Sequence, residues 1–236
     1  MTFTEEQKAH VKKQLQANEH DAGTRTIILG DNTSIDLLIE RDVFGSDIMS
    51  SGIYLARFLY QHQELYAGKD CVDIGCGAGT QGIIMSKYGA RSVVLSDINP
   101  SAVANARKNI EQQDITNAEI YESDLFESLP KNRTYDVIVF NHPFFSGEPE
   151  ELEGNDMLKR SMLGGTQLIE RFFQEAPQVL RQNGIIIMPY FHFAGIENEP
   201  GNHSKGLTIQ EYKIESQEGL QKGKFSIYVI GNKSEN

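Results

Sequence analysis

The chain has 236 residues, 39% of them hydrophobic, enough to bury a sizeable core within one domain. Its net charge of −11 and sequence pI of about 5.0, with no Lys/Arg cluster to offset them, argue against a protein whose main task is gripping duplex nucleic acid. Two neighbouring cysteines, Cys71 and Cys76, are no disulfide framework or metal set. With no apolar run of membrane-spanning length and no secretion signal at the polar N-terminus, a soluble cytoplasmic protein without metal is expected.

Thr4 and Gln7 have the spacing of a capping box and predict a helix through Leu15. Few of its positions are apolar, so it should lie on the surface or cover a site. Residues 26–29 and 34–39 are β-rich runs around Gly30, Asp31 and Asn32, which predicts a hairpin. Ile48, Tyr54, Leu55, Phe58 and Leu59 then form a helical stripe. From Asp70 strands and helices alternate. Residues 71–74 form a strand, followed by a Gly-rich turn and a helix ending near Gly89; residues 92–95 form the next strand. Asn99 caps a helix that starts at Pro100 and buries Val103, Ala106 and Ile110. A third strand surrounds Ile120, and a fourth, at 137–140, is apolar enough to be buried on both faces. A helix with Leu168, Ile169, Phe172 and Phe173 follows, then a strand at 185–188.

This order predicts an α/β, Rossmann-like fold: a seven-stranded, mostly parallel sheet with helices on both faces. Residues 208–214 and 225–230 have no helix between them and are expected to form an antiparallel C-terminal pair at its edge. Residues 1–40 read as a helix-and-hairpin extension, 41–231 as one domain, and 232–236 as a polar tail.

The run Val72-Asp73-Ile74-Gly75-Cys76-Gly77-Ala78-Gly79 lies between a strand and a helix, where glycines let a ligand approach the backbone and a helix N-terminus faces it. Gly77, Gly79 and Gly82 also spell the dinucleotide fingerprint, with Asp97 ~20 residues on, so an NAD-dependent oxidoreductase is a rival reading. Asp73 separates the two. A carboxylate at the first strand end would repel a pyrophosphate, whereas it would favour a ligand with a sulfonium and an α-ammonium group. The acid-x-Gly-x-Gly-x-Gly pattern resembles motif I of class I S-adenosylmethionine methyltransferases. That resemblance implies a ribose-binding acid at Asp97 with Ile98 packing on the adenine, and adenine contacts from Asp124 and the backbone of Leu125.

After the fourth strand come Asn141, His142, Pro143 and Phe144. They resemble the Asn-Pro-Pro-Tyr signature of glutamine-N5 and adenine-N6 methyltransferases. A conjugated NH2 group is a poor nucleophile; an Asn oxygen and a backbone carbonyl can accept its hydrogens while a ring stacks on the flat group. His142 stands where the family has its first Pro, and base, positioning and structural roles all remain open for it. The segments 42–47, 163–166 and 180–184 extend the likeness to small-domain methyltransferases. The expected function is therefore methyl transfer from S-adenosylmethionine to an amide or amine nitrogen of a protein, peptide or small molecule. Alternatives are a small-metabolite O- or N-methyltransferase using His142 as base, an RNA nucleobase enzyme, and a catalytically silent binding module. The acidic stretch 148–156 follows the substrate motif; it is either a solvated loop or, if it touches substrate, favours a basic acceptor.

Overall fold

Thr4 opens α1 (Glu5–Asn18) as its spacing implies: its Oγ1 accepts the N–H of Gln7 at 3.2 Å, and Gln7 Oε1 accepts the N–H of Thr4 at 3.0 Å. The computed structural model describes residues 3–18, 22–30, 32–44, 50–214 and 225–231. Asp31, residues 45–48 and the expected polar tail lie outside them. After α1 come β1 (Gly23–Gly30) and β2 (Thr33–Ile39), paired antiparallel as a hairpin, and α2 (Ser50–Gln61).

The main sheet begins with β3 (Asp70–Ile74), α3 (Thr80–Lys87), β4 (Ser92–Asp97) and α4 (Pro100–Gln112). Next are β5 (Ala118–Glu122), β6 (Tyr135–Phe140), the short α5 (Asp156–Arg160), α6 (Gly165–Val179) and β7 (Leu180–Phe191). A four-residue α7 (Pro200–His203), β8 (Thr208–Ile214) and β9 (Phe225–Gly231) complete it. The strand order is β5-β4-β3-β6-β7-β9-β8, parallel from β5 through β7 and antiparallel for the last two. The expected fold is the observed one. The C-terminal pair lies at the edge as expected, with β9 placed between β7 and β8 so that β8 is the outer strand on that side.

Alternation along the strands divides the core. Cys71, Val93, Leu95, Val137, Val139 and Ile187 face α2, α3, α4 and the hairpin. Val72, Ile74, Val94, Ile138, Ile186 and Met188 face α6, which buries Ile169, Phe172 and Ala176 against them. Both faces are covered, which is why the central strands carry almost no polar residue.

The hairpin is held by asparagines as well as by apolar packing. Asn109 is fully buried; its Oδ1 accepts the N–H of Leu38 at 2.8 Å, and its Nδ2 donates to the carbonyls of Leu38 and Ala78. Asn105 repeats the device on the N–H of Glu40 and the Leu38 carbonyl. Each amide thus satisfies backbone groups of a strand edge that would otherwise be buried unpaired. Replacing Asn109 with Ala should lower stability by about 2–4 kcal/mol, since it orphans the Leu38 N–H and the Ala78 carbonyl while Asn105 keeps the Leu38 carbonyl paired. Urea denaturation of the variant measures it, and a loss below about 1 kcal/mol would show the contacts to be dispensable.

Candidate active site

The C-terminal ends of β3, β4 and β6 and the turn after β5 open on one cavity of about 560 Å3. Ligands bind parallel sheets at this edge because strand ends there present loops and helix N-termini. Gly75, Gly77, Asp97, Ile98, Asp124, Leu125 and Asn141, all expected to hold cofactor, line it, as do His142, Pro143 and Phe144.

The turn between β3 and α3 has left-handed backbone at Gly75, Gly77 and Gly79, with φ of 63°, 54° and 87°. A Cβ on Gly77 would meet only the Phe44 carbonyl, at 3.8 Å, so the missing side chain leaves cavity space beside the backbone. Asp97 braces this turn: Oδ2 accepts the N–H of Gly77 at 2.8 Å and Oδ1 that of Asn99 at 2.9 Å. Its carboxylate is thereby fixed at the cavity wall; burial raises its pKa and the backbone N–H donors pull it back. Ile98 beside it stays 46% exposed, an aliphatic surface suited to the face of a flat ring.

Asp73 and Gly79 lie off the wall. Asp73 is 1% exposed, and its Oδ2 accepts the N–H of Gly82 at 2.8 Å inside the first turn of α3. The direct contact with a ligand cation argued from the sequence is replaced by a tie between strand and helix. Burial pushes this carboxyl up to about 7, against the Gly82 N–H and with a small contribution from Asp97. At Gly79 a Cβ would sit 3.2 Å from that of Ala106, so glycine there serves close packing as well as a positive φ.

Beyond β5, Leu125 adopts φ of 46°, strained for a leucine. Ser123 holds it: its Oγ donates to the Leu125 carbonyl at 3.0 Å and accepts the N–H of Ser128. Asp124 is engaged by a partner that sequence reasoning missed, the Nη2 of Arg171. The signal was present as a second stripe on α6, where Gln167, Leu168 and Arg171 line the cavity at helical spacing.

On the opposite wall, the loop after β6 is clamped by Asn198, again unforeseen. The Asn198 carbonyl accepts the His142 Nε2–H at 3.0 Å, and its side-chain amide donates to the Phe144 carbonyl at 2.9 Å and to Ser146 Oγ. Since that carbonyl can only accept, Nε2 carries the proton and Nδ1 is a buried lone pair without a partner. The ring stacks parallel to Tyr190 and meets Phe144 edge-on. Burial lowers its pKa to about 4. Asn141 makes no hydrogen bond among the described residues, so its amide is free to meet a ligand.

The roof comes from α1 and α5. His10 reaches the cavity between the rings of Phe145, Phe191 and Phe193, 5.4–5.8 Å away. Phe3 packs on Phe145, Lys8 pairs with Glu151 at 2.7 Å, and Gln7 donates to the Phe193 carbonyl at 3.0 Å. The first helix thus covers the site. Asn155 fixes the start of α5 to Asp42, donating to its Oδ1 at 2.9 Å. Among the described residues no cluster of His, Cys, Asp or Glu could hold a metal, and no helix is long and apolar enough to cross a membrane.

A glycine turn braced by one acid, an aliphatic ring platform and a further acid at the next strand end fit a nucleoside carrying an amino-acid tail. Sheet order and site together define a class I S-adenosylmethionine-dependent methyltransferase. The chain belongs to the methyltransferase small domain family, whose model matches residues 34–228. It is 35% identical over 146 residues to the "Putative protein N5-glutamine methyltransferase" of Methanocaldococcus jannaschii, covering 60% of this chain and 71% of that one. A ribosomal protein L11 methyltransferase of Thermosipho africanus is 35% identical over 98 residues, 42% of this chain and 36% of its own. In fold it is similar to the T. thermophilus 16S rRNA N2 G1207 methyltransferase, solved with AdoMet and guanosine: TM-score 0.62, 18% identity, covering 90% of this chain and 50% of that one. S-adenosylmethionine is the cofactor, and the NAD reading falls away.

The His142 ring gives a pH prediction with a definite sign. Its folded pKa of about 4 lies below the ordinary 6.5, so the stability it confers is complete above about pH 6.5 and is lost as pH falls towards 4. Between those limits wild type should lose up to about 3 kcal/mol more than a His142→Gln variant, measured by urea denaturation at each pH. Parallel pH profiles for the two proteins would contradict the buried, neutral ring.

Proposed function

We propose that this methyltransferase modifies a planar nitrogen, an amide or a ring amine, presented by the loop 141–144. The observation that carries the reading is the Asn141 amide, which lines the same cavity as the Phe144 ring and has no hydrogen-bond partner among the described residues. In this reading Gly75, Gly77 and Asp97 hold the ribose and amino-acid tail of the cofactor, Ile98 and Leu125 flank the adenine, and Asp124 meets its amino edge. Arg171 orients the Asp124 carboxylate through their hydrogen bond. Asp73 and Gly79 shape the turn from behind. We take residues 41–231 as the catalytic unit, to which the extension 1–40 adds His10.

The bound cofactor supplies an electrophilic methyl group. Asn141 Oδ1 and the His142 carbonyl accept the two N–H groups of the acceptor, which draws its lone pair out of conjugation and aims it. Phe144 stacks on the flat group, and Pro143 stiffens the loop between them. Acceleration then rests on orientation and preorganised dipoles. The base role for His142, which an oxygen acceptor would need, is disfavoured because burial suppresses protonation of its Nδ1, the lone pair that Nε2–H donation to Asn198 leaves over. The relative from Methanocaldococcus jannaschii, named as a putative protein N5-glutamine methyltransferase, supports nitrogen as the target. The acceptor class, protein, RNA or small molecule, is what the assay must select.

Labelled S-adenosylmethionine offered with a glutamine peptide, ribosomal RNA and a small-molecule extract should yield a product methylated on nitrogen. Asn141→Ala should bind S-adenosylhomocysteine almost as wild type does, yet transfer methyl about 100- to 1,000-fold more slowly. Label on oxygen or carbon, or an Asn141→Ala enzyme of full activity, would sink the proposal.

A further inference from the structure

The stretch 148–156 is the most acidic in the chain, yet none of its carboxylates lines the cavity. Glu151 is turned towards Lys8 and also caps the N–H of Glu148; Asp156 pairs with Lys159 at 2.6 Å. What reaches the wall is the following turn, Met157, Leu158 and Arg160. The Arg160 side chain is exposed and makes no hydrogen bond or salt bridge among the described residues. The acids that share the wall are already engaged: Asp97 by two backbone N–H groups, Asp124 by Arg171, Asp42 by Asn155.

Arg160 also belongs to the acceptor side. Two residues beyond it, Met162 accepts the N–H of Phe145 at 3.0 Å, and Phe145 in turn accepts that of Gly164 at 3.2 Å. The segment carrying the guanidinium is therefore fastened to the loop that carries Asn141 and Phe144. In a chain of net charge −11 the general field repels anions. An unpaired guanidinium on a cavity wall reverses that locally and offers forked donors matched to a carboxylate or phosphate. The acid that acts on it, Asp156, is already paired with Lys159, so among the described residues no carboxylate is committed to the guanidinium.

We infer that the methyl acceptor carries an anionic group, carboxylate or phosphate, near its methylated nitrogen, and that Arg160 binds this group. The inference rests on the acceptor role given above to the loop 141–144. It reverses the preference for a basic acceptor that the acidic stretch suggests in the sequence. The carboxylate of the cofactor's own amino-acid tail is a second source of the same chemistry, and the experiment separates the two.

Wild type and Arg160→Gln, each saturated with S-adenosylhomocysteine, are titrated with inorganic phosphate and with acetate at ionic strength held constant by sodium chloride. Thermal unfolding is the readout. A rise in the Tm of wild type with either anion, reduced at least about fivefold in apparent affinity in the variant, is expected. Affinity for S-adenosylhomocysteine should be the same in both proteins, and Arg160→Lys should keep part of the anion response. Two results would overturn the inference. One is an anion response that is absent, or equal in wild type and Arg160→Gln. The other is a variant that loses about tenfold in affinity for S-adenosylhomocysteine while binding 5′-methylthioadenosine, which lacks the carboxylate, as wild type does. These binding readouts do not depend on which atom is methylated, so a failed nitrogen assignment shows separately, as label on another element.

Discussion

The turn after β3 keeps a shape that three left-handed glycines alone would not specify, because Asp97 at the cavity wall braces it and the buried Asp73 ties the helix behind it to the strand. Asp97 takes the N–H of Gly77 from the neighbouring strand, and Asp73 takes that of Gly82 from behind. The glycines permit the path; the acids select it. Everything on the cofactor side is referred to this turn: Ile98 follows Asp97 directly, and Asn99 both caps α4 and donates to the Asp42 carbonyl at 3.1 Å. Asn109, by reaching the Ala78 carbonyl, connects the same turn to the hairpin. A pyrophosphate would meet a wall already furnished with acceptors, which is the physical reason why glycine spacing alone did not decide the ligand.

The fold and the strand-end wall of the cavity were legible in the sequence because both depend on local signals. Apolar strands ending in Asp or Asn, Pro100 after Asn99, and the Thr4/Gln7 pair each report on the next few residues only, and each is found in place. Asp73 was read correctly as an acid at a strand end but given a direct ligand contact. No one-dimensional pattern says whether a side chain turns towards the cavity or towards the helix behind it. The partners that were missed are long-range. Asn198 lies 54 residues from the Phe144 carbonyl it holds, and Arg171 lies 47 from Asp124. Neither has a motif around it. Arg160 was hidden by its company, since a count of charges over 148–156 cannot show that the acids are neutralised locally or turned outward.

His142 illustrates how a departure from a family pattern is accommodated. The proline it replaces would stiffen the loop through its ring. Here the stiffness comes from a hydrogen bond to Asn198, a stack on Tyr190 and an edge contact with Phe144. Burying an imidazole in this way costs the ability to carry charge near neutral pH. In the proposed reading a residue type associated with proton transfer serves as a strut, and the backbone carbonyl assigned to a nitrogen acceptor is kept.

The roof has a different origin from the floor. The floor comes from the strand ends and turns of β3–β6, contiguous in sequence and bound into one sheet. The roof is assembled from α1, α5, the end of β7 and the start of β9, pieces scattered from His10 to Phe225 and joined mostly by ring contacts. Of those pieces, α1 and α5 lie outside the sheet, and Phe191 and Phe225 pair at the last position of the β7–β9 ladder. Divergence within such a lineage can therefore retune which molecule is methylated while methyl donation stays constant, with the first helix and the α5 turn as the segments in which that drift would first be recorded.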